Sequence, residues 1–186
     1  MRLSLWSGAA AVLLSFAGQG NVRAADKGHG PAAQYCAASG GEVIDRVPYY
    51  NTNGPPSSWL RLEGERGFCQ FTATDGSRIH ILLETLYSTL PSLAASAYYA
   101  KVPPAPPGPG NPASYYCTQL GGSDLFGGVN AVGGGWVGRH SKDQVLEACI
   151  FPDMSSIDSW GLTYNDVGTI RGIDLTTVMR YKPPAQ

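Results

Sequence analysis

The chain has 186 residues, 43% of them apolar and 15% charged, with a formal net charge of −1. A near-neutral chain with no Lys/Arg cluster and no basic helix face is a poor partner for polyanions, which excludes nucleic acid and anionic lipid as ligands.

Residues 1–24 read as a secretory signal. Arg2 supplies the positive start, Leu3 to Ala17 an apolar run too short to span a bilayer, and Val22-Arg23-Ala24 a cleavage site ahead of Ala25. Cleavage removes Arg2 and Arg23 and no acid, so the mature 162 residues carry −3. The expectation is a periplasmic protein with no transmembrane segment after signal cleavage and no cysteine near the cut to carry a lipid. A chain of this length forms one domain, or two small ones held by something other than core size.

The four cysteines, Cys36, Cys69, Cys117 and Cys149, point to disulfides in an exported chain. Of the three connectivities, an internal repeat selects one. Pro31-Ala32-Ala33-Gln34-Tyr35-Cys36 with Gly40-Gly41 recurs 81 residues on as Pro112-Ala113-Ser114-Tyr115-Tyr116-Cys117 with Gly121-Gly122. Cys69-Gln70-Phe71 then matches Cys149-Ile150-Phe151, and Asp75-Gly76-Ser77 matches Asp153-Met154-Ser155. Cross-links kept within each copy pair Cys36 with Cys69 and Cys117 with Cys149. Zinc sites and disulfide reductases place cysteines two to four apart, and these are more than thirty apart.

In chain order, the first module (residues 25–102) opens with a short helix around Cys36. Strands follow at Val43 to Val47, Trp59 to Leu62 and Phe68 to Phe71, then helices at Leu82 to Leu90 and Ser92 to Ala100. Pro103 to Gly110 reads as an extended polyproline spacer, leaving the modules as separate beads or docked by contacts that the chain does not announce. In the second module (residues 111–186) Asn111 caps a helix that starts at Pro112 and ends at Gly121. Strands at Trp136 to Gly138 and Ala148 to Phe151 follow, and the β-branched run Leu175 to Tyr181 reads as a last strand. The expected class is α+β: two tandem disulfide-linked modules, each a short helix on a small antiparallel sheet.

Asn111 to Cys117, Gly121-Gly122, Cys149 to Ser155 and Ser159-Trp160 resemble a short bacterial domain of unknown function that carries the label haemolysin. The first half keeps both cysteines and Asp75-Gly76-Ser77 but has Leu82 where the second has Trp160. That resemblance implies a small envelope protein and brings no catalytic residues with it. In size and architecture the chain is more loosely similar to the smallest subunit of the membrane-bound quinohaemoprotein alcohol dehydrogenases of acetic acid bacteria. This second likeness implies an accessory subunit docked on a larger, PQQ- and haem-containing enzyme.

The residues themselves offer little chemistry. His29, His80 and His140 are scattered, and a solvated or core histidine outweighs a metal ligand where no second ligand stands at helix-face spacing. There is neither a Gly-x-Ser-x-Gly elbow nor a phosphate loop, since Gly133-Gly134-Gly135 lacks its Lys-Ser/Thr. The close acid pairs, Asp153 with Asp158 and Glu63 with Glu65, read as solvated loop charge. The expectation is no enzymatic activity and no metal, haem or organic cofactor. Membrane damage is disfavoured as well, because no segment after residue 24 joins a long apolar face to a basic one. Aromatics are the better lead. Trp59, Trp136, Trp160, Tyr49, Tyr50, Tyr98, Tyr99 and Tyr115 are the candidate partner-binding residues, weighed against burial of about half of them in the core. Two functions follow: a non-catalytic periplasmic accessory subunit that docks on and stabilises or anchors a larger envelope enzyme, or a stand-alone envelope module that binds a ligand or a protease.

Overall fold

The computed structural model describes residues 29–106, 108, 110–124, 133–139 and 145–184; residues 1–24, expected to be a signal segment, and His140 lie outside them. It is an α+β structure in which both expected disulfides are formed, Cys36–Cys69 and Cys117–Cys149. Among the described residues no helix is long and apolar enough to cross a membrane. Paired cysteines fit an oxidising compartment.

Helix α1 (Gly30–Ala38) has Pro31 in its first turn and ends ahead of Gly40, whose φ of +85° turns the chain into strand β1 (Glu42–Tyr50). Strand β2 (Leu60–Arg61) is a two-residue edge piece, and β3 (Arg66–Thr72) and β4 (Arg78–Leu82) form a hairpin. Helices α2 (Leu83–Tyr87) and α3 (Leu93–Ala100) follow. The second half repeats the order: α4 (Pro112–Gln119), capped by the Asn111 side chain as expected, then β5 (Gly134–Gly138) and β6 (Val145–Leu146). Strands β7 (Ala148–Ile150) and β8 (Ser156–Asp158), with helices α5 (Ser159–Asp166) and α6 (Leu175–Val178), complete it.

The strands of both halves share one antiparallel sheet. Its path runs β6-β5-β1-β3-β4-β8-β7, with β2 appended to the end of β1. The two ends of that path, β6 and β7, are separated in the chain only by Glu147, so the path closes on itself as a small barrel. The halves meet where Ile81 of β4 pairs with Ile157 of β8. Ile81 is also the partner of Cys69, and Ile157 the partner of Cys149, so corresponding strands face each other across a local two-fold axis. On the far side β5 pairs with β1 from Arg46 to Tyr50. The halves are therefore not separate beads: strands of the second half flank the first on both sides.

Side-chain alternation divides the molecule into two cores. The outward residues Cys69, Phe71, Ile79, Ile81, Cys149 and Ile157 meet the helices in one large cluster that holds both disulfides. Helix α1 packs on α2, and α4 on α5. The inward residues Phe68, Leu82, Trp136, Leu146 and Ala148 form a second, smaller cluster inside the barrel.

Two expectations are corrected. Leu175 to Tyr181 is not a strand: Asp174 caps a helical turn there by accepting from Thr176 N–H, and Leu175 and Met179, four residues apart, are both buried. Cap and i,i+4 spacing override the β preference of Thr176, Thr177 and Val178. The proline segment forms no helix or strand at residues 103–106 and is no free spacer. The Gln119 side chain donates to Pro103 O (2.8 Å) and accepts from Ala105 N–H (2.7 Å), and Tyr116 Oη donates to Val102 O (2.7 Å), which ties the segment to α4.

Candidate functional site

Alternation along four strands sends Arg46 of β1, Gln70 of β3, His80 of β4 and Asp158 of β8 into the same barrel interior, and all four are buried. Arg46 Nη1 donates to Trp136 O at 3.0 Å, and its Nη2 lies 3.2 Å from His80 Nε2. That ring nitrogen is also 2.8 Å from Gln70 Oε1, while His80 Nδ1 is 3.6 Å from Asp158 Oδ2. Asp158 is committed to backbone: Oδ2 accepts from His80 N–H at 2.6 Å, and Oδ1 accepts from Gly161 N–H as the N-cap of α5. One carboxylate thus joins β4, β8 and α5, and a carboxylate receiving two backbone N–H bonds is held in place by charge-assisted contacts.

His80 and Asp158 form the floor of a cleft of about 330 Å³. Its walls are Arg78, Arg171, Trp160, Glu147, Thr52 and Asn53, with Gly133, Gly134 and residues 145–146 completing the rim. The Trp160 and Tyr164 rings lie 5.9 Å apart, and the Arg171 guanidinium sits 5.0 Å over the Tyr164 ring, giving a three-membered stack along one side. Arg171 Nε donates to the backbone carbonyl of Arg78, which ties the Arg171 side chain to β4, while Arg78 Nη1 donates to Gly76 O. Glu147 Oε2 accepts from Asn111 Nδ2 at 2.5 Å. Nearby, Asp124 accepts from Ser114 and Ser159 hydroxyls; burial, helped by Glu147, pushes its carboxyl up to about 6 against the pull of those two hydrogen bonds. Among the described residues no three His, Cys, Asp or Glu side chains gather as a metal-ligand set.

The aromatic candidates separate by burial. Trp136 lies inside the barrel, 5.7 Å from Phe68, and Tyr98 is 1% exposed with its hydroxyl accepting from Leu175 N–H. A partner cannot reach either ring, so both leave the candidate set. Tyr99 is half-buried and ties down the tail through Thr176 O and Tyr181 O. Tyr115 packs over Gly108 and, with Pro104, Pro106 and Pro112, lines a second cavity of about 280 Å³. Tyr49 and Trp59 meet edge to face at 6.0 Å beside the exposed Tyr50 and Leu60. Trp160, in the cleft wall, stands nearest to the polar cluster.

The reading of Asp158 as solvated charge is corrected: it is 4% exposed. Arg46, Gln70, Arg78 and Arg171 carry no motif that marks them in the chain. Strand register turns Arg46 and Gln70 into the barrel and Arg78 toward the cleft, Arg171 reaches the cleft from the loop after α5, and the one signal in the chain is polar residues at alternate positions in β-prone runs, such as Arg78 and His80. No family model, no curated protein and no solved structure matches the chain.

Proposed function

We propose that the protein is a non-catalytic binding module of the cell envelope whose recognition site is the polar cleft of the barrel. The observation that carries this reading is the contrast between floor and walls. The floor groups are bonded to one another and to backbone, with Asp158 spent on two N–H groups, which suits a rigid base for a ligand. The walls offer two arginines, a carboxylate, an amide and a tryptophan. At about 330 Å³ the cleft falls at the small end of ligand pockets, which span about 300–1,000 Å³. The test is ¹H–¹⁵N NMR of the secreted protein against a panel of sugars, carboxylates, amino acids and phosphates. At least one compound is expected to shift the Trp160 indole and Arg171 resonances together; a panel that moves neither counts against the reading.

A different observation favours the accessory-subunit reading. Leu60 is 59% and Tyr50 38% exposed on the short β1–β2 pairing, beside Trp59, giving an apolar edge suited to a larger envelope enzyme. Co-purification from native membranes should then fail with Leu60→Lys while the variant remains folded; unchanged co-purification rules this edge out.

A further inference from the structure

We infer that the cleft takes a carboxylate-bearing sugar, a uronate unit of an acidic saccharide; this rests on the reading of the cleft as the binding site. Three features of the walls point to that chemistry. Arg171 Nε donates to the backbone carbonyl of Arg78 and Arg78 Nη1 donates to Gly76 O, and both arginines border the one cleft, which gives it the positive charge that a carboxylate needs. Glu147 and Asp158 border the same space. A dianionic phosphate ester would face two carboxylates there, whereas a monoanion with several hydroxyls finds in Glu147 and Asn53 the acceptors and donors its hydroxyls need. The Trp160 ring, backed by Tyr164, supplies an apolar plane of the kind that covers the C–H face of a pyranose.

The stack also runs on to the surface. Tyr164, Val167 and Ile170 are exposed along the end of α5 and the loop after it, and Arg171 returns from that loop to the cleft. One uronate unit therefore sits in the cleft, and the next residues of a saccharide chain extend over Trp160 and Tyr164. The His80 side chain beneath is held by Gln70, Arg46 and Asp158, and it contributes shape and polarity to the floor without a proton-transfer role.

The experiment is isothermal titration of the secreted protein with a galacturonate tetrasaccharide, its neutral galactose counterpart and inorganic phosphate, with NMR to locate each. The uronate is expected to bind at least tenfold more tightly than the neutral sugar, and to weaken as salt rises. Arg171→Lys keeps the charge and loses the planar fork, so it should weaken the uronate at least fivefold and leave the neutral sugar unchanged. Trp160→Ala should weaken both sugars; Trp160→Phe, which keeps an apolar ring if the alanine variant fails to fold, should restore most of the binding. Equal affinity for the two sugars, tighter binding of phosphate, or indifference to Arg171→Lys overturns the uronate assignment. If another compound of the wider panel then binds in the cleft, the binding-module reading stands without it; if none does, both fall.

Discussion

Gly41 and Gly122 lie directly beneath the two disulfides, and their backbones leave no room for a side chain. A Cβ at Gly41 would stand 2.3 Å from Cys69 Sγ, and one at Gly122 2.4 Å from Cys149 Sγ. The preceding glycines do another job: Gly40 and Gly121 take φ of +85° and +84°, with open space around them. Within each Gly-Gly pair the first residue is needed for its backbone angle and the second for its missing Cβ. Gly122→Ala should therefore cost roughly 1–3 kcal/mol through overpacking, and Gly121→Ala about 1 kcal/mol through its left-handed backbone, both read by chemical denaturation. Asp124 gives a pH signature with an unusual sign. Its folded carboxyl is raised to about 6 from 3.8, so the unfolded chain ionises first. The Asp124 contribution to stability is complete below pH 4, falls as pH rises to about 6 and then levels off, a loss of at most about 3 kcal/mol. Asp124→Asn keeps an acceptor for Ser114 and Ser159 and should raise the melting temperature at pH 7 while flattening its slope between pH 4 and 6.

At the scale of elements, the two hairpins β3–β4 and β7–β8 turn in the same way. Ser77 N–H donates to Asp75 Oδ1 at 2.8 Å and Ser155 N–H to Asp153 Oδ1 at 3.0 Å, and the residue between takes a positive φ in each, +82° at Gly76 and +65° at Met154. The Asp-x-Ser pattern is thus an Asx turn that fixes hairpin register, and register decides which residues enter the barrel. In the second hairpin a methionine occupies a position suited to glycine. Met154 is half exposed, so truncating it removes little burial. Met154→Gly should gain about 0.5 kcal/mol, the left-handed strain relieved less the entropy that glycine adds to the unfolded chain, measurable as a shifted denaturation midpoint with an unchanged slope.

The whole molecule depends on pairing between halves. Strand β1 is covered by β5, and β4 by β8, so either half alone would expose two strand edges and an inner face, which bears Arg46 and His80 in the first half and Trp136 and Asp158 in the second. Fragments 29–106 and 110–186 are each expected to be largely unfolded alone, even with their disulfides intact, and to regain the native far-ultraviolet spectrum when mixed. A cooperative unfolding transition in either isolated half would show that it is an independent domain.

The chain by itself determined what local chemistry controls. The cysteine pairing followed from the 81-residue offset, the α4 cap from Asn111-Pro112, and most strands from their β-branched and aromatic runs. Those features depend on neighbours in sequence, on capping hydrogen bonds and on loop closure. The tertiary structure alone decided the rest. Barrel closure depends on Glu147 joining a strand that pairs with β5 to one that pairs with β8, which no local periodicity encodes. The buried Arg46, Gln70, His80 and Asp158 come from four strands spread over more than a hundred residues, and each is polar, so hydrophobic patterning leaves them outside the core. They lie inside because the closed sheet gives every inward position to a common interior, where a polar side chain is tolerated once its partners arrive from other strands.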